Sequence, residues 1–129
     1  MEVHIWFDGA SKGNPGPMAG GAVLAYEGRE EVLHGSPGRG TNNEAEYDGL
    51  ILGLRRAKAL GATRVRIHGD SQLIIKQLQG QYKVKAPNLQ DRFKEAKSLL
   101  EGFPSRSLQW IPRDENRKAD AAANAALNG

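Results

Sequence analysis

The sequence predicts an α/β fold in which a mixed sheet is covered by helices. Three observations carry this expectation. The first third of the chain alternates apolar and polar residues with short links, helical spacing takes over near Thr41, and strand and helix patterns then alternate to the last residues. Sequential strands with short links read as an antiparallel meander.

Val3, Ile5 and Phe7 alternate with His4, Trp6 and Asp8, so the first strand is expected to close on Asp8. A second strand is expected around Gly20 to Tyr26 and a third around Glu31 to Gly35, joined by the turn "EGRE". In "TNNEAEYDGLILGLRRAKALGA", Tyr47, Leu50, Ile51, Leu54, Ala57 and Leu60 form one apolar stripe, with Thr41 or Asn42 as cap and Gly61 as terminator. "TRVRIHGD" is a strand ending on Asp70, and "SQLIIKQLQ" is a helix stopped by Gly80. "NLQDRFKEAKSLLEG" is an amphipathic helix, "SLQWI" a short strand broken by Pro112, and "NRKADAAANAALN" an Ala-rich helix. The order is β-β-β-α-β-α-α-β-α, and one domain over residues 1–129 is expected.

Composition narrows the function classes. The absence of cysteine removes disulfides, thiolate zinc sites and thiol catalysis. No apolar run approaches the roughly 20 residues of a membrane span, and no signal-peptide pattern stands at Met1. A cytoplasmic, monomeric protein without a membrane partner is expected. The net charge of +3 points mildly to a polyanionic partner. The loop "GASKGN" is not a P-loop, because it lacks the GK[ST] ending and a helix directly after it.

Four acids stand at element ends or core margins, where an unpaired carboxylate is unwelcome. Asp8 closes the first strand and Asp70 the fourth. If those strands are adjacent and parallel, both emerge at one sheet edge, where open α/β sheets place ligands. Glu46 lies at the margin of the apolar stripe of its helix, whereas Glu44 and Asp48 face solvent more freely. Asp120 sits among Ala119, Ala121, Ala122 and Ala123, small neighbours that permit close helix packing. Each acid also has an ordinary reading: Asp8 as a loop cap, Asp70 as a helix N-cap, Glu46 and Asp120 as first-turn acids favoured by the helix dipole. Were they to converge, they could not all stay ionised without cations. All-oxygen ligation selects hard ions such as Mg²⁺ or Mn²⁺, and a pair of these suits phosphodiester cleavage.

Four stretches together resemble the type I ribonuclease H family, in the family's order and over essentially the whole chain. They are "FDGASKGNPGP", "TNNEAE", "IHGDSQ" and "DENRKADAAANAAL", the last with its N-x-x-x-D spacing. The resemblance implies a ribonuclease H-like fold, a five-stranded mixed sheet of three antiparallel strands followed by parallel ones, with helices on both faces. It implies endonucleolytic cleavage of the RNA strand of RNA–DNA hybrids, leaving 5′-phosphate and 3′-hydroxyl ends. Asp8, Glu46, Asp70 and Asp120 match the family's catalytic acids, which hold two Mg²⁺ ions, with Mn²⁺ able to substitute. Asp8 would serve both ions, Glu46 and Asp70 one of them, and Asp120 the other. Gly9, Asn14, Asn42, Asn43 and Gln72 match substrate-contacting positions; amides suit a minor groove lined by 2′-hydroxyls and base edges. Arg39 and Thr41 resemble a pocket for a DNA-strand phosphate.

Two departures stand out. Many type I enzymes carry a His in a loop before the last acid, but "WIPRDEN" is short and has none. Arg113 and Glu115 are candidate substitutes, and slower or differently pH-dependent turnover is expected. The basic handle insertion is also absent, although Lys76, Lys83, Lys85, Arg92, Lys94 and Lys97 still form a basic segment able to track phosphates. Two other readings stay open: a nucleic-acid-binding module without chemistry, and a relative that also cleaves double-stranded RNA.

Overall fold

The alternation of Val3, Ile5 and Phe7 becomes β1 (Glu2–Ser11) in the computed structural model, which describes residues 1–129. β1 pairs antiparallel with β2 (Gly16–Tyr26). The chain then turns through Glu27 and Gly28, both at positive φ (48° and 73°), into β3 (Arg29–His34). A short β4 (Gly38–Gly40) pairs with Gly16–Met18 on the edge of β2 that β3 also uses. Next come α1 (Asn42–Ala59), β5 (Arg64–Gly69), α2 (Gln72–Leu78) and α3 (Pro87–Glu101). β6 (Ser105–Trp110), a 3₁₀ turn at Arg113–Glu115 and α4 (Arg117–Asn128) complete the chain.

The sheet order is β3-β2-β1-β5-β6, with β5 parallel to both β1 and β6. The expected mixed sheet is therefore present, with a sixth strand in addition. β4 has three residues, two of them glycine, and so carries no alternation to read. The first strand also runs past Asp8, because Gly20 and Gly21 of β2 remain paired with Gly9 and Asp8. Asp8 is thus an internal strand residue rather than a strand end.

Two adjacent glycines define the layers. A Cβ on Gly20 would lie 2.3 Å from the Gly49 nitrogen in α1, and one on Gly21 would lie 2.3 Å from the Ala123 nitrogen in α4. Successive strand residues point to opposite faces, so α1 and α4 pack on opposite sides of the sheet, each in backbone contact with β2. The main core lies on the α1 side, where Val3, Ile5, Phe7, Leu50, Leu54, Val65 and Ile67 are fully buried with Ile74, Leu89 and Ala96. On the other side α4 buries Ala119, Ala122, Ala123 and Ala126, whose small side chains permit the close approach. No helix is long and apolar enough to cross a membrane.

The start of α1 is secured twice. Thr41 Oγ1 accepts from the Glu44 backbone N–H at 3.2 Å, while Glu44 Oε1 accepts from the Thr41 N–H at 3.1 Å. Such a reciprocal cap contributes roughly 0.5–2 kcal/mol. Asn14 Oδ1 also accepts from the Asn42 N–H at 3.1 Å, tying the β1–β2 loop to the same turn.

Candidate active site

Three elements converge at one end of the central strands. Asp8 comes from β1, Asp70 from the residue after β5, and Glu46 from the second turn of α1. One carboxylate oxygen from each lies within 4.8 Å of the other two. Gly9 makes this possible: a Cβ there would sit 2.4 Å from the Glu46 nitrogen, so only glycine lets α1 settle over β1. Gly49 repeats the arrangement one turn on, where an added Cβ would meet the Asp8 carbonyl oxygen at 2.5 Å. The close approach at Gly9 is therefore made by α1 itself.

The cluster is electrostatically frustrated without a cation. Asp8 and Glu46 are both buried, at 5% and 6% exposure. Burial is the main cause of the upward shift of the Asp8 carboxyl, with Asp70, Glu46 and Asp120 adding repulsion, and the Gly9 N–H, at 2.8 Å, opposing it. Burial likewise pushes Glu46 up to about 7, against the Ser71 hydroxyl, the Arg113 charge and the Asn42 amide. Glu46 Oε2 is buried, and no donor, the nearby Ser71 hydroxyl included, meets it in hydrogen-bonding geometry. A buried carboxylate oxygen left open beside two more carboxylates suits a hard divalent ion.

The ordinary readings of Asp70 and Asp8 fail on the geometry, whereas Asp120 keeps its place as a first-turn acid. Ser71, not Asp70, caps α2, accepting from the Ile74 N–H at 3.2 Å. The Asp8 carboxylate accepts from its neighbouring N–H and caps no loop. Asp120 lies in the first turn of α4, half-exposed and outside the group of three, and its charge is felt at Asp8. Its Oδ1 accepts from Asn124 Nδ2 at 3.3 Å.

Around the acids, Asn42 Nδ2 lies 3.4 Å from Glu46 Oε1, and Asn43 is half-buried in the same turn. Thr41 is engaged as the α1 cap, and Arg39 is exposed on β4. Gln72 is exposed at the start of α2. Arg113 is near enough to Glu46 to favour its ionised form, whereas Glu115 lines a hollow with Trp6, Val23 and Glu30.

Two expectations about charge need correction. Glu44 is not free: it accepts from Asn88 Nδ2 and Arg92 Nη1, each at 2.9 Å, besides closing the cap. Nor is Asp48 free: Arg92 also donates to its Oδ1 at 2.8 Å, so Arg92 braces α3 against α1.

Asn116 escaped the sequence reading as a site residue. It is 1% exposed, and its Nδ2 donates to Phe7 O at 2.9 Å and to Asp70 Oδ2 at 3.0 Å. Its only signal was the spacing to Asp120, which looks like a helix cap, yet its side chain makes no capping bond.

A family model described as reverse transcriptase-like matches residues 6–126. Ribonuclease HI of Halobacterium salinarum is 46% identical over 128 residues, which are 98% of this chain and 64% of that protein. The bifunctional protein Rv2228c of Mycobacterium tuberculosis is 44% identical over 99% of this chain and 36% of its own length. The solved N-terminal RNase H domain of Rv2228c has a TM-score of 0.89 at 43% identity, covering 98% of this chain and 94% of that one. LC11-RNase H1, solved in complex with an RNA/DNA hybrid, has a TM-score of 0.85 at 35% identity, covering 98% of this chain and 96% of that one. The chain thus spans less than two thirds of the full length of these two curated relatives. With the mixed sheet, the converging acids and these likenesses all in agreement, the chain belongs to the type I ribonuclease H family.

Proposed function

We propose that this chain is a divalent-metal-dependent endoribonuclease that hydrolyses the RNA strand of RNA–DNA hybrids. The observation that carries the reading is the trio Asp8, Glu46 and Asp70 within 4.8 Å, one of whose buried oxygens has no partner. Its likeness to LC11-RNase H1, a protein solved with a hybrid, supports the substrate.

Asp8, Glu46 and Asp70 would hold the metal, with Asp120 completing the set for a second ion. Two Mg²⁺ ions, or Mn²⁺ in their place, supply positive charge to the phosphate and make water a stronger acid. Asp8 and Glu46 gain full ionisation when that charge is present, since repulsion and burial are what oppose it. Asn116 fixes the orientation of Asp70, and Arg113 favours charged Glu46. Asn14, Asn42, Asn43 and Gln72 offer amides to the 2′-hydroxyls and base edges of the minor groove, beside Gly9. Arg39 and Thr41 would grip a DNA-strand phosphate. Water adds across the P–O3′ bond, leaving a 5′-phosphate and a 3′-hydroxyl. The trio forms within a single copy of the chain, and action as a monomer is part of this proposal.

The test is incubation of labelled hybrid, RNA duplex, DNA duplex and single strands with Mg²⁺, Mn²⁺ or EDTA, beside Asp70→Asn. Cleavage of hybrid alone, lost in EDTA and in Asp70→Asn, is expected. Cleavage surviving either would sink the metal account, and binding without cleavage in both metals would favour a binding module.

A further inference from the structure

We infer that Trp110, with Gln72 and Lys76, forms a subsite for one sugar–phosphate unit of the nucleic acid strand beside the acid cluster, an inference that rests on the hybrid-cleaving reading above. Trp110 is the last residue of β6, paired in register with Gly69, the residue before Asp70. Its indole N–H donates to the Asp70 carbonyl oxygen at 3.1 Å. The polar edge of the ring is thereby satisfied towards the acid cluster, while the side chain stays 43% exposed. A large apolar surface held still at the margin of a charged site is a contact surface rather than core.

The ring forms one wall of a hollow of about 190 Å³ shared with Gln72, Ile75, Lys76 and Gln79. Gln79 is already committed, donating to Leu108 O at 3.1 Å and accepting from Gln81 at 3.1 Å. Ile75 is buried. The free polar groups are therefore the Gln72 amide and the Lys76 ammonium, which uses one donor on the Tyr82 hydroxyl at 3.3 Å. An apolar plane, an amide and a cation match a sugar face, its hydroxyl and the adjoining phosphate. The hollow is smaller than the roughly 300–1,000 Å³ of small-molecule sites, which disfavours a free nucleotide. In an intact duplex the base faces are taken by their neighbours, so an aromatic ring approaching from a groove meets the ribose edge.

The chain has two tryptophans, so Trp6→Phe with Asp8→Asn leaves Trp110 as the sole indole in a protein that does not cut. Titration with hybrid in Mg²⁺ is expected to quench or shift its emission to saturation. In steady state, Trp110→Ala should raise KM for hybrid roughly ten-fold with little change in kcat, and Trp110→Phe should restore most of the loss. Trp110→Ala should leave the salt slope of binding unchanged, whereas Lys76→Ala should reduce it by about 0.7–0.9. Emission unmoved at saturation while the wild-type protein cuts hybrid overturns the subsite alone. A Trp110→Ala variant that loses kcat but not KM also overturns it, reducing Trp110 to a prop for Asp70. A wild-type protein that neither binds nor cuts hybrid overturns the subsite together with the reading beneath it.

Discussion

Asn116 Nδ2 lies 3.0 Å from Asp70 Oδ2 and 2.9 Å from the Phe7 carbonyl, so one buried amide pins the carboxylate that follows β5 against the backbone of β1. Asn116→Ala would leave both acceptors short of a donor. Loss of such an orienting partner typically costs roughly 10–100-fold in metal affinity or activity. A higher Mg²⁺ half-saturation with a lower kcat is expected, measured by metal titration of hybrid cleavage. Asn116→Asp should be worse, because it adds a carboxylate beside Asp70.

The pH dependence of metal-free stability follows from the raised carboxyls. Asp8 and Glu46 ionise at higher pH in the folded protein than in the unfolded chain. Between the unfolded carboxylate range near 4 and the folded value of about 7 for Glu46, the native state holds protons that the unfolded state has released. Stability from this source is thus complete in acid and is lost as pH rises through that window. In EDTA, Tm should fall between pH 5 and pH 8, and Mg²⁺ should remove the fall by binding only the folded state.

Asp8→Asn tests the same frustration by removing a charge. The variant should be inactive, yet more stable than the wild type at pH 8 in EDTA. A gain of about 1 kcal/mol, roughly 4 °C for a chain of this length, is the expected size. Thermal unfolding in EDTA and in Mg²⁺ measures it, and the advantage should shrink or reverse with metal present.

Arg92 should behave as a brace. Its bonds to Glu44 and Asp48 join α3 to the first turns of α1. Arg92→Met should destabilise by about 1–2 kcal/mol while leaving the salt slope of hybrid binding unchanged. Lys83→Ala with Lys85→Ala should do the opposite, flattening the slope at little cost in stability. An Arg92→Met slope that fell by a full contact would return Arg92 to the phosphate-tracking segment.

Gly9→Ala probes how the acids are brought together. The added methyl meets the α1 backbone 2.4 Å away, where no flexible side chain can yield. α1 must lift from β1, carrying Glu46 away from Asp8. A loss of kcat larger than the rise in KM is expected, together with a destabilisation of about 1–3 kcal/mol. Gly38→Ala, whose nearest neighbour would be a Met18 side-chain carbon 3.5 Å away, serves as the tolerant control.

Much of this architecture is legible in the chain because it is local. The period-two run through Val3, Ile5 and Phe7, the stripe from Tyr47 to Leu60 and the terminators Gly61 and Gly80 each follow from backbone geometry within a few residues. Glu46 is recognisable in the same way, since helical phase alone puts it at the core margin. β4 is not, since three residues with two glycines have no pattern. The extension of β1 beyond Asp8 is not legible either, because it depends on which residues of β2 lie opposite.

Residue type and order were enough to select the acids, the amides and the family they resemble. Only the packed molecule decided that Asp8, Glu46 and Asp70 meet in one trio with Asp120 outside it but near enough to be felt at Asp8, that Asn116 holds Asp70, and that Arg92 is occupied by Glu44 and Asp48. Periodicity reports the direction a side chain takes from its own backbone. Distance between side chains, and the desolvation that raises Asp8 and Glu46, come from contacts far apart in the chain, set here by Gly9, Gly20, Gly21 and Gly49 where helices rest on the sheet.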